Sequence, residues 1–492
     1  MIDSRYATVA ELALGLKRKR YSSVELVSAA LALLETHGPR YNAIAAIMRD
    51  RALAAARRAD RTRATARSGL HGVPYGAKDL IAAKGAPTTW GAPPYKDQRF
   101  DEDATVITKL GRAGAVLTAK LAMVELAGGG GYRYPSASLQ GPGRNPWDVG
   151  RWSGGSSSGS GAAVAAGLVP WAIGSETSGS IGTPAAFCGV TGVRPTYGLI
   201  SRHGAMALSW TLDKLGPMAR TAEDCGLALQ AMAGPDAADP TVSGKRFAPL
   251  VGRAATTAVR AVRAGFAQED LGHATPEAKR ALERGIAELS KVLPKVVRAV
   301  LPTDLPYGPM VGTVFGAEGA TIFGELIDSG RVDELVDKRQ IAGLKAAVEI
   351  RARDYLQAQR LRMILIERFR ELFREVDVLI APARVSTAPP IDAPLDNRPP
   401  GAGSLATPPK AGAPGPGNTA LIPAGNLAGL PAIFFPCGFG TDGLPVGLQI
   451  VGPPFSEALL VAIVAAYQRE TGHHLKRPSD HRGPGPRPLN AP

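Results

Sequence analysis

Ser156 and Ser180 stand 24 residues apart (180 − 156) in GGSSSGSGAAVAAGLVPWAIGSETSGS, residues 154–180, each set among glycines. A backbone can wrap closely around a small electrophile only where side chains are absent, and glycine also reaches φ/ψ values that cost other residues strain. Serine hydroxyls and backbone N–H groups gathered into such a volume are the parts of a nucleophile and an oxyanion hole. The reaction class they indicate is acyl transfer.

A serine hydroxyl needs a base, which is commonly histidine. His37, His71, His203, His273, His473, His474 and His481 sit in loop-like or tail contexts, and none belongs to a Gly-x-Ser-x-Gly elbow. A lysine neutralised by burial can take the role, because desolvation disfavours the ammonium form. Lys78, in the mostly apolar GVPYGAKDLIAA, is the candidate. Taken singly, a lysine before an aspartate is more often a solvated surface residue, and a Ser/Gly cluster more often a flexible loop. Here the two serine clusters flank an alanine-rich apolar run that can be buried, which is odd for a linker.

These segments resemble the amidase signature enzymes. HGVPYGAKDL is similar to their lysine segment, GGSSSGS to their first serine motif and GSETSGSIGTPAAFCGVTGVRPTYG to their nucleophile region. DATVITKLGRAGAVLTAKLAMVEL, SWTLDKLGPMART, NLAGLPAIFFPCGF and GLPVGLQIVG continue the likeness, which spans roughly residues 5–470 and draws its specificity from the motifs occurring together in order. The resemblance implies an α/β fold with a large twisted mixed β-sheet core flanked by helices on both faces. It also implies amide hydrolysis with Lys78 as the catalytic base, Ser156 as a bridging serine after a cis Gly155–Ser156 peptide, and Ser180 as the nucleophile that becomes an acyl-enzyme. The backbone N–H groups of Thr177, Ser178, Gly179 and Ser180 would form the oxyanion hole, and Gly128, Gly129 and Gly130 part of the acyl-side pocket. Two departures bear on substrate. Glu176-Thr177-Ser178-Gly179-Ser180 stands where many members have Asp-Thr-Gly-Gly-Ser, so Ser178 would have to hold a backbone geometry that glycine holds more easily. Gly182 replaces an arginine common two residues after the nucleophile, and the missing cation favours an uncharged acyl group.

The resemblance extends to the A subunit of the glutamyl-tRNA amidotransferase, which has segments similar to TYGLISRHG and LDKLGP. That protein often carries an aspartate shortly before NLAGLP, whereas GNTALIPAGNLAGLP offers Asn418 and Thr419. The expectation is therefore an amidase hydrolysing the C–N bond of a small neutral amide, ester or carbamate; the alternative is the A subunit of the amidotransferase. Retention of all three proposed catalytic side chains argues against a non-catalytic scaffold. No cofactor, metal, nucleic acid or membrane is expected, and a homodimer is the assembly considered.

Composition supports the same class. With 45% hydrophobic and 20% charged residues in 492, the chain can bury a large core. The formal charge of +14 comes without a basic run interleaved with aromatics, which argues against nucleic-acid binding. Cys188, Cys225 and Cys437 have no paired spacing, and no His/Asp/Glu cluster has ligand spacing, so neither a disulfide framework nor zinc is indicated. No signal-like segment and no run of about 18 apolar residues appears, and a cytoplasmic protein is expected.

One domain over residues 1–470 should position these groups. Residues 1–66 read as helices, with Thr8, Ser22 and Ser23 as N-caps and Ser22 to Glu25 as a capping box. Residues 67–234 alternate strand-like AGAVLTAK with helical DATVITKLGRAG, a βαβ signal for a parallel or mixed sheet. Trp90 and Tyr95, in the turn-rich stretch after Lys78, are candidates for the pocket wall or for simple packing. Residues 235–375 read as a variable helical insert or lid, and 376–470 as a return to the sheet through DVLIAPA and the late motifs. The Pro/Gly-rich 382–418 segment is expected at the rim of the pocket, and 471–492 as a mobile tail.

Overall fold

Short apolar runs bounded by glycine and proline form the strands. In the computed structural model, which describes residues 4–66, 68–302, 304–395 and 420–479, these are β1 (Ile44–Ile47), β2 (Pro74–Lys78), β3 (Val116–Leu121), β4 (Arg144–Asn145), β5 (Asp148–Trp152), β6 (Trp171–Glu176), β7 (Thr191–Arg194), β8 (Lys214–Ala219), β9 (Arg263–Phe266), β10 (Lys295–Arg298), β11 (Val378–Pro382), β12 (Ala432–Phe439) and β13 (Pro445–Val451). Most of the Pro/Gly-rich segment, with Asn418 and Thr419, and the tail from residue 480 lie outside the described residues.

Among the described residues, eleven strands form one sheet in the order β1-β3-β2-β6-β8-β7-β12-β13-β11-β9-β10, and β4 pairs with β5 apart from it. The sheet is mixed. β2 runs parallel to both β3 and β6, and β9 parallel to β10 and β11, while the other neighbours are antiparallel. Strands β2, β3, β6, β8, β11 and β13 are buried at every position, as expected when helices cover both faces. Alternation along β6 shows the two sides: Trp171 and Ile173 belong to one apolar cluster and Ala172 to the other.

Thr8 and Ser22 cap their helices as expected, whereas Ser23 does not. Thr8 Oγ1 accepts from the Glu11 N–H at 3.1 Å while the Glu11 carboxylate accepts from the Thr8 N–H at 2.8 Å, and Ser22 with Glu25 repeats the arrangement. Ser23 is the first helical residue, and its N–H donates to Asp60 at 2.7 Å. Two stretches read as helical also supply strands: β1 lies within 1–66, and β9 and β10 within 235–375. Each of the three is four residues long, too short to impose a period of two on sequence flanked by amphipathic helices. The helix Pro276–Val292 is the crossover that joins parallel β9 to β10. Among the described residues, no helix is long and apolar enough to cross a membrane.

Candidate active site

Because β2 and β6 are parallel neighbours, their C-terminal ends come out at the same edge of the sheet, with Gly76 beside Ala172 and Ala77 beside Ile173. Lys78 is the last residue of β2, and the chain leaving β6 at Glu176 runs directly into 177–180. Lys78 is fully buried, and its Nζ lies 2.7 Å from Ser156 Oγ and 2.9 Å from Ser175 Oγ. Burial drives its pKa down to about 7, against the opposing pull of Asp213 and Glu176. It makes no ion pair among the described residues, since Asp79, next in sequence, pairs instead with Lys120 at 2.8 Å.

The Ser156 segment is clamped between two strands. Its carbonyl accepts from the Val124 N–H at 3.1 Å, just beyond β3, and Ser157 Oγ donates to the Ser175 carbonyl of β6 at 3.2 Å. The Ser157 N–H donates to the Ser180 carbonyl at 3.2 Å, tying the two serine motifs together, and the Gly155–Ser156 peptide is cis. Gly154, at φ +86°, could not be another residue: a Cβ there would lie 2.7 Å from Pro184 Cα.

Residues 177–180 turn from β6 into the helix Gly182–Cys188. Gly179 takes the left-handed conformation, at φ +88°, whereas Ser178 is not among the positive-φ residues. The substitution of serine for glycine at 178 therefore imposes no left-handed strain. Among the described residues, the N–H groups of Thr177, Ser178, Gly179 and Ser180 donate to nothing, whereas those of Ile181 and Gly182 donate to Glu176 Oε2 at 2.9 and 3.0 Å. The Glu176 carboxylate is itself buried against Arg194 at 2.9 Å and accepts from the Asn426 amide at 2.9 Å. Burial opposes its charge, but Arg194, Asn426, the Gly182 N–H and Lys214 together hold its pKa at about 2. Thr177 Oγ1 donates to buried Asp213 at 2.5 Å, fixing the start of the turn.

Ser180 opens into a cavity of about 260 Å³ with Thr177, Ser178 and Gly155 on its wall. Of the expected pocket glycines, Gly128 lines it; Gly129 packs against Leu208 and Phe323, and Gly130 against the helix Lys338–Ala347, where a Cβ would lie 2.5 Å from the Gln340 carbonyl. Trp90 and Tyr95 do not line this cavity; their rings pack on each other, centroids 4.5 Å apart.

A buried lysine against one of two serines, with unengaged N–H groups around the second, is equipped for acyl transfer, and the comparisons fix the family. The family model described as Amidase matches residues 25–461. The chain belongs to the amidase family. This amidase is an enzyme acting on amide C–N bonds. It is 37% identical over 96% of its length to the A subunit of the glutamyl-tRNA(Gln) amidotransferase of Methylococcus capsulatus, covering 98% of that protein. Two solved structures are similar throughout: the peptide amidase of Stenotrophomonas maltophilia, at 30% identity and TM-score 0.79 over 96% of this chain and 98% of that one, and the A subunit of the glutamyl-tRNA(Gln) amidotransferase of Thermotoga maritima, at 26% and 0.76 over 95% and 96%.

These relatives correct the expectation of a small-molecule partner, no nucleic acid and at most a homodimer. Proteins this similar along their whole length are named as subunits of an enzyme that works on a tRNA. The lack of a basic-aromatic run does not weigh against such a role, because one component of an assembly can serve a tRNA reaction without one.

Several residues of the amidase site escaped sequence reading. Ser175, the second partner of Lys78, sat unremarked in GSETSGS. Arg194 comes from the end of β7, Asp213 from the residue before β8 and Asn426 from the helix Leu421–Leu427. Phe315, from the 235–375 stretch, and Arg384, just past β11, line the Ser180 cavity, so this cavity has a cation despite glycine at 182. No local signal marked Arg384, which lies 204 residues (384 − 180) from the serine it faces.

Proposed function

We propose that this amidase is the A component of an amidotransferase working on glutamyl-tRNA(Gln), liberating an amide nitrogen through Ser180, Ser156 and Lys78. The observation that carries the reading is the likeness to subunits of that name, end to end in both proteins. In this mechanism neutral Lys78 takes the Ser156 proton while Ser156 takes that of Ser180, whose Oγ bonds to the carbonyl carbon of a carboxamide. The N–H groups of Thr177, Ser178, Gly179 and Ser180 hold the oxyanion. As the tetrahedral intermediate collapses, the C–N bond breaks and the proton returns through Ser156 to the departing nitrogen. Water then cleaves the Ser180 ester by the same route. The short Lys78–Ser156 contact and the lysine pKa of about 7 support the base assignment. A tRNA reaction agrees with the cytoplasmic location expected from the sequence.

A second reading, hydrolysis of a carboxamide without partner subunits, is favoured by the absence of an acid at Asn418 and Thr419 and by the likeness to a peptide amidase. Purification of the tagged chain from its native host, followed by assay of amide transfer to glutamyl-tRNA and of free carboxamide hydrolysis, separates the two. Co-purifying subunits and transfer abolished by Ser180→Ala are expected. Hydrolysis by the isolated chain with no transfer would leave only the second reading, and full activity in Ser180→Ala would remove both.

A further inference from the structure

A second cavity, of about 230 Å³, lies among the helix Arg49–Arg61, the helix Thr105–Arg112 and the strands β2 and β3, away from Ser180. Three arginines, Arg51, Arg58 and Arg112, line it together with His71, Thr62 and Tyr75. Arg51 forks onto Asp103 at 2.6 and 2.7 Å. Asp60, on the helix Arg49–Arg61, is taken by Arg63 at 2.5 Å and by the Ser23 and Val24 N–H groups. Arg58 and Arg112 are exposed and have no carboxylate partner among the described residues.

Tyr75 supplies an independent observation. Its side chain is 1% exposed, its ring is stacked on Trp171 with centroids 4.6 Å apart, and its hydroxyl makes no hydrogen bond among the described residues. Tyr75 lines the cavity together with Arg51, Arg58 and Arg112. The Tyr75 hydroxyl opens on the cavity rather than lying sealed in the core, and an open donor beside two guanidinium groups without carboxylate partners suits an acceptor-rich anion.

We propose that this cavity binds a phosphate monoester. Two uncompensated positive charges match a dianion, the planar forks of Arg58 and Arg112 suit phosphate oxygens, and the Tyr75 hydroxyl donates to a third oxygen. The volume exceeds what a bare phosphate fills and leaves room for a substituent. The proposal stands apart from the chemistry at Ser180, so either can fail alone.

Calorimetric titration of the full chain with inorganic phosphate and with adenosine monophosphate tests it, using wild type, Arg58→Ala/Arg112→Ala and Tyr75→Phe, each verified as folded by circular dichroism. Saturable one-site binding is expected, tighter for the monophosphate, weakened about tenfold or more in the double variant and several-fold in Tyr75→Phe. No saturable heat with either probe up to about 10 mM, or equal affinity in all three proteins, would overturn it. Binding of unfractionated tRNA that needs both arginines, with neither small probe bound, would also overturn it and assign the groove to a polymer backbone.

Discussion

At the scale of single residues, the proposed mechanism rests on an amine kept from its proton. Lys78 is neutral only above its depressed pKa of about 7, so turnover should rise with pH through 7 and fall about tenfold per unit below it. An initial-rate profile at saturating substrate checks this, and a rate independent of pH between 5 and 8 would refute the base assignment. The same burial costs stability. The unfolded chain keeps the lysine proton up to about pH 10.4 while the folded chain releases it near 7, so folding is least favoured below 7 and gains as pH rises between those values. Lys78→Met, inactive but uncharged, should therefore unfold at higher temperature than wild type at pH 6, with an advantage that shrinks steadily toward pH 10. A variant less stable than wild type at pH 6 would show that Lys78 is better solvated than its surroundings imply.

At the scale of elements, the turn from β6 into the helix Gly182–Cys188 is held by Glu176. Its carboxylate engages Arg194, the Asn426 amide and the first two N–H groups past Ser180. Glu176→Gln should lower stability by about 3–5 kcal/mol in denaturant unfolding, because it leaves the Arg194 guanidinium buried without its counter-charge. It should also lower kcat by loosening the N–H groups around Ser180. With its pKa depressed to about 2, the Glu176 contribution is complete above the unfolded value of about 4.5 and is lost as pH falls toward 2. The N-terminal caps are separable from this. Thr8→Ala and Ser22→Ala should each cost about 1 kcal/mol and leave turnover unchanged, measured by thermal unfolding and by rate.

At the scale of the whole molecule, protection should grade across the sheet. β10 is an edge strand with mostly exposed positions, whereas β6, β8 and β13 are buried throughout. Native-state hydrogen exchange should find β9, β10 and the helix between them opening first, and the strands that carry the serine motifs and Lys78 opening last. Uniform protection across the sheet would contradict this ordering. The 235–375 stretch supplies part of the Ser180 cavity wall through Phe315.

The sequence by itself indicated the reaction class, the mixed sheet and two of the three helix caps, and it singled out the lysine and serine segments that the fold brings together. Each of these is written locally, in glycines spaced around serines, in a lone cation within an apolar run, or in a cap followed three residues later by glutamate. Tertiary structure alone decided that Ser175 shares Lys78 with Ser156, that Ser178 escapes the left-handed turn taken by Gly179, that Gly128 but not Gly129 or Gly130 reaches the cavity, and that Arg384 brings a cation to the cavity wall. Those outcomes depend on strand register and on contacts between residues up to hundreds of positions apart, and no short-range pattern specifies which distant side chain a buried group will meet.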